Sequence, residues 1–145
     1  MLIHEPVHGV GFIVINTGYI VNRLQAALLR ETIDLVDNGV ASAEAVDNAF
    51  RLSLGLRGPI LGPLLRAHLT GDGIERFFEN YSESYRLRWE SMAAWNSLSD
   101  RAAGANIKSI NEMEIVRTKS LTEIKARRDE MLVKILKVIQ EGSKT

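Results

Sequence analysis

The sequence predicts an all-α fold, and three observations support this prediction. Most of the chain carries apolar residues at spacings of three and four, the periodicity of helices packed on one face. Helix start and stop signals separate these segments, and the clearest start signal runs from Ser120 to Glu123. The apolar run from Val10 to Ile15 resembles a strand instead, but a small helical domain offers it no sheet. We therefore expect a multi-helix domain preceded by a short extended segment.

The extended segment is predicted over residues 1–17, and the helical domain over residues 18–145. Residues 13–15 are β-branched and close a continuous apolar run, which suits a strand buried in a sheet. The sheet itself would have to lie upstream, which is a first hint that something is missing there. The family resemblance given below implies that the segment is the linker from a missing domain.

The first two predicted helices have clear boundaries. The first helix runs from Gly18 to Asn38, and Gly39 ends it. Because this helix is apolar on two sides, we expect it to be central and packed by neighbours all round. The second helix begins after Ser42, which suits an N-cap, and ends near Gly55.

In the middle of the chain, the sequence pattern predicts a short helix followed by a long one. Pro59 and Pro63 interrupt the chain, and Pro63 can open a short helix that ends by Gly71. A long helix over residues 73–95 then carries an aromatic side chain at every fourth position: Phe77, Tyr81, Tyr85 and Trp89. This aromatic stripe predicts packing in a core or a subunit interface, and ligand stacking is the alternative.

Two further helices complete the predicted fold. After a polar stretch over residues 97–104, apolar spacing predicts one helix through Ile107, Ile110, Met113, Ile115 and Val116. The last helix begins at a capping box formed by Ser120 and Glu123, and Gly142 ends it.

The composition narrows the possible functions. Eighteen basic residues balance eighteen acidic ones, so no overall field attracts nucleic acid or an anionic membrane. The absence of cysteine removes disulfides, thiol nucleophiles and cysteine metal sites, and favours a reducing, cytoplasmic location. No apolar run approaches the roughly 20 residues of a membrane span.

Spacing alone identifies no catalytic machinery. His4 and His8 would align on a helix, but they flank Pro6 in the extended segment, so we expect no metal site there. His68 has no acid or nucleophile near it in sequence and is expected to be structural. The glycines of the first eighteen residues do not form a dinucleotide fingerprint.

Six segments, taken in order, resemble the C-terminal domain of the 3-hydroxyacyl-CoA dehydrogenase family. In that family a Pro-Gly-Phe-Ile-x-Asn-Arg signature opens the first helix, and here residues 17–23 read Thr-Gly-Tyr-Ile-Val-Asn-Arg. Gly58-Pro59 also departs from the bulkier residues that are usual after Arg57. The later segments are similar to the lambda-crystallin and L-gulonate 3-dehydrogenase branch in particular. The six segments are residues 18–31, 36–42, 54–57, 61–64, 67–69 and 126–132.

The resemblance implies a fold of the 6-phosphogluconate dehydrogenase C-terminal-like type. It also implies an NAD-dependent enzyme whose Rossmann-like nucleotide-binding domain lies elsewhere, in cis or as a separate chain. The family's catalytic His–Glu pair belongs to that domain, so the isolated chain is expected to be inactive and to bind no NAD. Family members dimerise through the helical domain, which implies a homodimer.

Two residues match functional positions of the family. Asn22 corresponds to the asparagine that positions the substrate, because an amide can both donate to a carbonyl and accept from a hydroxyl. A helix-capping or helix-packing amide is the alternative interpretation of Asn22. Arg57 either touches an acidic substrate or braces its loop, and we favour bracing.

Two other functions stay open from the sequence. The chain could be a stand-alone helical interaction module, since its apolar faces exceed what one small domain easily buries. Binding of an acyl chain or of CoA by the helical domain alone is the third hypothesis.

Overall fold

The structure, a computed structural model, describes residues 10–142, and for residues 10–17 it describes the backbone only. The all-α prediction is confirmed, since this part of the chain contains helices and no strand. None of these helices is both long and apolar enough to cross a membrane. The helices are α1 (Val10–Asp37), α2 (Ala43–Ala49), α3 (Pro63–Thr70), α4 (Ile74–Ser91), α5 (Asp100–Glu112), α6 (Glu114–Thr118) and α7 (Leu121–Gly142).

The backbone of residues 10–17 is helical and continues into α1, which corrects the extended conformation predicted for them. A continuous apolar run suits a strand only where neighbouring strands satisfy its backbone groups. A helix satisfies the same groups within the segment itself, so it needs no sheet. Residues 1–9, the rest of the predicted extended segment, lie outside the described part of the chain.

The turn between α1 and α2 forms as the sequence predicts. Gly39 adopts a φ of +68°, which favours glycine, and the N–H of Val40 donates to the Leu35 carbonyl at 2.9 Å. This is a Schellman arrangement at a helix C-terminus. Ser42 then caps α2 by accepting a hydrogen bond from the N–H of Ala45 at 3.2 Å.

The small core lies where α2 and α5 pack against the C-terminal half of α1. The side-chain amide of Asn106 donates to the Ile33 carbonyl at 3.1 Å, joining α5 to α1. The N–H of Ala43 donates to the hydroxyl of Ser109 at 2.8 Å, joining α2 to α5. Ala43 and Ala102 are buried in this region, and their small side chains let the helices approach closely.

Hydrogen bonds join the connection between α4 and α5 to α1. The connection begins earlier than predicted, because α4 ends at Ser91 rather than at Trp95. The N–H of Ala93 donates to the Glu31 carboxylate at 2.9 Å, and Nε1 of Trp95 donates to the Asp34 carboxylate at 3.0 Å. These contacts with α1 take the place of the helical hydrogen bonds that the predicted longer helix would have made.

The helix predicted through Ile107 and Val116 is divided in two. Ser99 caps α5 from within the stretch interpreted as polar, so the helix begins earlier than its apolar spacing indicates. Met113 then interrupts it with an extended ψ of 137°, and α6 follows. Apolar residues keep their helical spacing across this break, so the spacing does not predict it.

The aromatic stripe of α4 forms a row of contacting rings, as its spacing predicts. The Phe77 ring lies 5.1 Å from the Tyr81 ring and 5.6 Å from the Tyr85 ring, between centroids. Tyr85 and Trp89 continue the row at 5.5 Å. Phe77 is buried beside the α3–α4 turn, whereas Trp89 is 65% exposed. The stripe is therefore core at one end and open surface at the other.

We expect Gly71→Ala to lower the free energy of unfolding by about 1–3 kcal/mol, the usual cost of overpacking. A Cβ at Gly71 would lie 2.6 Å from the backbone nitrogen and Cβ of Phe77. Gly104→Ala is the matched control, because a Cβ there meets no atom within 4 Å inside α5. Gly104→Ala should stabilise the chain by about 0.5–1 kcal/mol. Urea unfolding of both variants measures this, and equal effects of the two substitutions would contradict the contact with Phe77.

The capping box of α7 is confirmed. The N–H and hydroxyl of Ser120 both donate to the Glu123 carboxylate at 2.8 Å, and the N–H of Glu123 donates to the Ser120 hydroxyl at 3.3 Å. The hydrogen bond from the Ser120 backbone N–H, followed by the one from its hydroxyl, lowers the pKa of Glu123 below its ordinary value of 4.5. The stability of the first turn of α7 is therefore expected to depend on pH.

The contribution of Glu123 should be fully present above pH 4.5 and lost as pH falls through the lowered pKa of the folded state. We expect amide-exchange protection of the Ser120 N–H to fall in that range. In the Glu123→Gln variant the side chain cannot titrate, so protection should not change with pH there beyond the intrinsic exchange rate. A drop of equal size in both proteins would contradict the capping role.

Candidate functional site

Asn22 lies on α1, within residues 18–30, which are exposed. Its side-chain amide forms no hydrogen bond with any residue that the structure describes. A capping or packing amide would be engaged with the backbone or with a neighbouring helix, and the geometry of the described chain shows neither contact.

A cleft opens between α1 and the α4–α5 connection, and its lining begins at Arg23, the residue that follows Asn22 in the chain. Its volume is ≈ 370 Å³, at the lower end of the range for small-molecule sites. Arg30 donates to the carbonyl of Trp95 at 3.3 Å and so holds the far wall of the cleft against α1. We call it the α1 cleft, and its lining residues are Arg23, Ala26, Ala27, Arg30, Trp95 and Asn96.

Arg57 hydrogen-bonds within its own turn of the chain. Its Nε donates to the Ser53 carbonyl at 3.1 Å, and its Nη2 donates to the Ser53 hydroxyl at 2.9 Å. The guanidinium also lines a second cleft of ≈ 210 Å³, which we call the arginine cleft. Asn22 and Arg57 lie on different helices, and the two clefts have no residue in common.

Arg57 follows a π-helical turn over Phe50–Gly55. The apolar spacing of the sequence does not predict this turn. The turn extends α2 without a break, but its wider spacing changes which residues share a face. Gly55 fits the turn closely, since a Cβ there would lie 3.2 Å from the Phe50 carbonyl oxygen. Leu52, on this turn, is 73% exposed. Gly55 was interpreted only as a stop signal, although it also marks this tight packing.

The described residues do not fit a dinucleotide. Such a cofactor is cradled by a glycine-rich turn between a strand and a helix, and residues 10–142 supply no strand. Gly71 and Gly73 belong to the turn between α3 and α4, where Gly73 has a φ of +128°. Within the same part of the chain no cluster of His, Asp and Glu could hold a metal ion. His4 and His8 lie outside it.

Comparison with known proteins gives a consistent result. The family described as 3-hydroxyacyl-CoA dehydrogenase, C-terminal domain, matches residues 18–108. An L-carnitine dehydrogenase of Oceanobacillus iheyensis is 30% identical over 129 residues, which cover 86% of this chain and 40% of that protein. An L-carnitine dehydrogenase of Pseudomonas aeruginosa is 31% identical over 126 residues, covering 86% and 38%. One of Burkholderia mallei is 32% identical over 117 residues, covering 74% and 36%.

The chain spans about two-fifths of the length of the relatives that it matches. The match to the family begins at Gly18, where the resemblance in the sequence also begins, and it includes both Asn22 and Arg57. The helical fold agrees with the match, since the described part is built from helices alone. The chain therefore belongs to the 3-hydroxyacyl-CoA dehydrogenase family and is a C-terminal domain of that family.

Proposed function

We propose that residues 18–145 are the substrate-positioning and dimerisation domain of an NAD-dependent 3-hydroxy-acid or 3-hydroxyacyl-CoA dehydrogenase. The observation that carries this proposal is the position of Asn22. It lies within the family match, it is exposed on α1 directly before Arg23 of the α1 cleft, and its amide has no hydrogen-bond partner among the described residues. Arg57 is a weaker candidate for contact with the substrate, since Ser53 already holds its guanidinium.

The amide of Asn22 suits both forms of such a substrate. Its NH₂ group can donate to the carbonyl of the oxidised form, and its oxygen can accept from the hydroxyl of the reduced form. NAD would accept the hydride, and its binding site belongs to a Rossmann-like domain, in cis or as a separate chain. The helical domain contributes orientation of the substrate, which raises the rate by restricting the reacting groups to a productive geometry.

The substrate class follows from the family and the relatives together. L-carnitine, named in the three relatives, is itself a 3-hydroxy carboxylate, so a 3-hydroxy acid is the class common to these names and to the family. The segments that resemble the lambda-crystallin and L-gulonate 3-dehydrogenase branch favour an acid over a CoA thioester as well. A cytoplasmic location would agree with the absence of cysteine.

The homodimer is supported by the surface that a single chain leaves open. Among the described residues, the apolar face of α7 is largely exposed, as are Leu24 and Leu29 on α1. A helix apolar on two sides was expected to be packed all round, and within one chain this expectation is wrong for α1. A second copy and a neighbouring domain would supply the missing contacts.

A stand-alone interaction module remains the second candidate, and the exposed end of the aromatic stripe favours it. Trp89 is 65% exposed and stacks on Tyr85 without a covering helix in the described chain. Such a module would bind partners through α4 or α7 and would need no contribution from Asn22.

The two functions are distinguished by complementation. The chain alone should neither bind NADH nor oxidise 3-hydroxybutyrate or L-carnitine. Added to the nucleotide-binding domain of the Oceanobacillus iheyensis relative, or fused to it, the chain should restore NADH production measured at 340 nm. Restored activity supports the dehydrogenase domain, and turnover by the chain alone would contradict the proposal. Binding to the nucleotide-binding domain without any activity would favour the interaction module.

A further inference from the structure

The arginine cleft joins the end of the π-helical turn to the start of α3, and its charge is unbalanced. It is lined by Leu54, Arg57, Gly58, Leu61, Pro63 and Arg66. Arg66 is half-buried. No carboxylate among residues 18–142 forms an ion pair with Arg57 or Arg66. Arg57 is exposed, so among the described residues both guanidiniums can be approached by an anion from solvent.

The sequence around the cleft is basic although the whole chain is neutral. Residues 48–71 contain three arginines and one histidine but no aspartate or glutamate. Asp47 and Asp72 bracket this stretch, so the carboxylates of the chain begin where it ends. An excess of one sign lining a concave surface concentrates the field there and attracts ions of the other sign.

The geometry of the cleft is prepared for an anion. Ser53 holds two nitrogens of Arg57, which fixes the guanidinium and leaves its Nη1 free to donate. Gly62 begins α3 without a side-chain cap, so the backbone N–H groups of Leu64 and Leu65 have no capping acceptor. Pro63, the first residue of α3, lines the cleft, so the positive end of the helix dipole lies on the same side of α3 as the two arginines' cleft.

Gly58 leaves this space open. A Cβ at Gly58 would meet only the carbonyl oxygens of Leu54 and Gly55, each at 3.5 Å, which is ordinary contact. A larger side chain at this position is therefore sterically allowed by the backbone and would project where the cleft now is. Gly58 lines the cleft, so a bulky side chain introduced there is expected to reduce its volume.

We propose that the arginine cleft binds a small anionic group, a carboxylate or a phosphate, between the guanidiniums of Arg57 and Arg66. Arg66 is the new residue of this site, and it would favour substrates that carry a free acid. The identification of the ligand as a substrate acid rests on the proposed dehydrogenase function, whereas the binding of an anion does not.

Anion binding is measured on the 145-residue chain by titrating ¹⁵N-labelled protein with 3-hydroxybutyrate and, separately, with inorganic phosphate. The amide signals of Leu64 and Leu65 and the Nε signals of the arginines should shift with one binding curve. Saturation by 3-hydroxybutyrate identifies a carboxylate site, and saturation by phosphate alone identifies a phosphoryl site. If neither probe shifts these signals, the proposal is wrong.

Three variants separate the cleft from the general charge of the segment. Arg66→Gln should weaken binding at least about tenfold, because a charge-assisted hydrogen bond is lost. Gly58→Phe should weaken it as much without changing any charge. Arg51→Gln removes the same charge from the same basic stretch but lies outside the cleft, where Arg51 contacts Asn48, and should change affinity less than about twofold. Equal losses in Arg66→Gln and Arg51→Gln would overturn the site.

The proposal can fail independently of the proposed function. Restored dehydrogenase activity together with no anion binding would reject the arginine cleft and leave the domain assignment intact. Anion binding by a chain that never restores activity would support the arginine cleft and count against the proposed dehydrogenase function.

Discussion

Replacement of Asn22 by alanine is expected to lower kcat/KM for a 3-hydroxy acid about 10²-fold in the complemented enzyme, because a hydrogen bond aimed at the reacting oxygen is lost. The effect should appear mainly in kcat, since the carbonyl oxygen gains negative charge as the hydride transfers and an amide donor stabilises that charge most in the transition state. The measurement is initial-rate kinetics with NADH and the 3-oxo acid.

Asn80→Ala is the matched control for this experiment. Asn80 is also an exposed helical asparagine, but it lies on α4, away from both clefts. We expect its kcat/KM to stay within about twofold of the unmodified chain, as for most surface substitutions. Asn22→Asp keeps one acceptor but loses the donor and should resemble the alanine variant. If Asn22→Ala behaves like Asn80→Ala, the positioning role is wrong and the interaction module becomes the better interpretation.

The sequence predicted those features of the fold that depend on local chemistry. The Schellman turn at Gly39, the N-cap at Ser42 and the capping box at Ser120 each rest on a few adjacent residues. Their hydrogen bonds form within a single turn of chain, so no knowledge of the tertiary structure is needed to predict them.

The features that the sequence did not predict depend on contacts between distant residues. The end of α4 at Ser91 is set by the hydrogen bonds that Glu31 and Asp34 accept from the following connection, more than sixty residues along the chain. The break at Met113 and the π-helical turn interrupt segments whose apolar spacing is uninterrupted. Hydrophobic periodicity identifies a helix but does not locate such interruptions.

The residues of the candidate site also fall into two groups, those identified from the sequence and those found only in the structure. Asn22 and Arg57 were identified by resemblance, because nothing in the spacing of this chain marks either residue as functional. Arg66 was not singled out, although the acid-free stretch over residues 48–71 is visible in the sequence. A count of charge along the chain would have found that stretch. Which of its arginines share a cleft depends on the π-helical turn, and only the structure shows it.

The second large expected effect concerns assembly of the protein, because apolar side chains stay exposed on the described chain. Exposed apolar side chains lie on two separate helices, α7 and residues 18–30 of α1. We infer that these two surfaces serve different contacts, one with a second copy and one with the nucleotide-binding domain.

We expect the chain to have twice its monomer mass by light scattering, and Leu132→Glu to weaken the dimer about 100-fold or more. Leu132 is 49% exposed on the apolar face of α7, where Leu136 and Ile135 are also open. A carboxylate buried there without a partner costs about 3–5 kcal/mol, which corresponds to a factor of 100 or more in the dissociation constant.

Gln140→Glu adds the same charge to α7 and should leave the dimer intact, since glutamine already places a polar group at that position. Circular dichroism of both variants distinguishes a lost interface from a lost fold, because helix α7 should remain helical in each. A dimer that survives Leu132→Glu would move the interface to the aromatic stripe of α4, where Trp89→Ala should then dissociate it. A wild-type chain that stays monomeric at every concentration would contradict self-association, and the apolar face of α7 would then be expected to bind the nucleotide-binding domain.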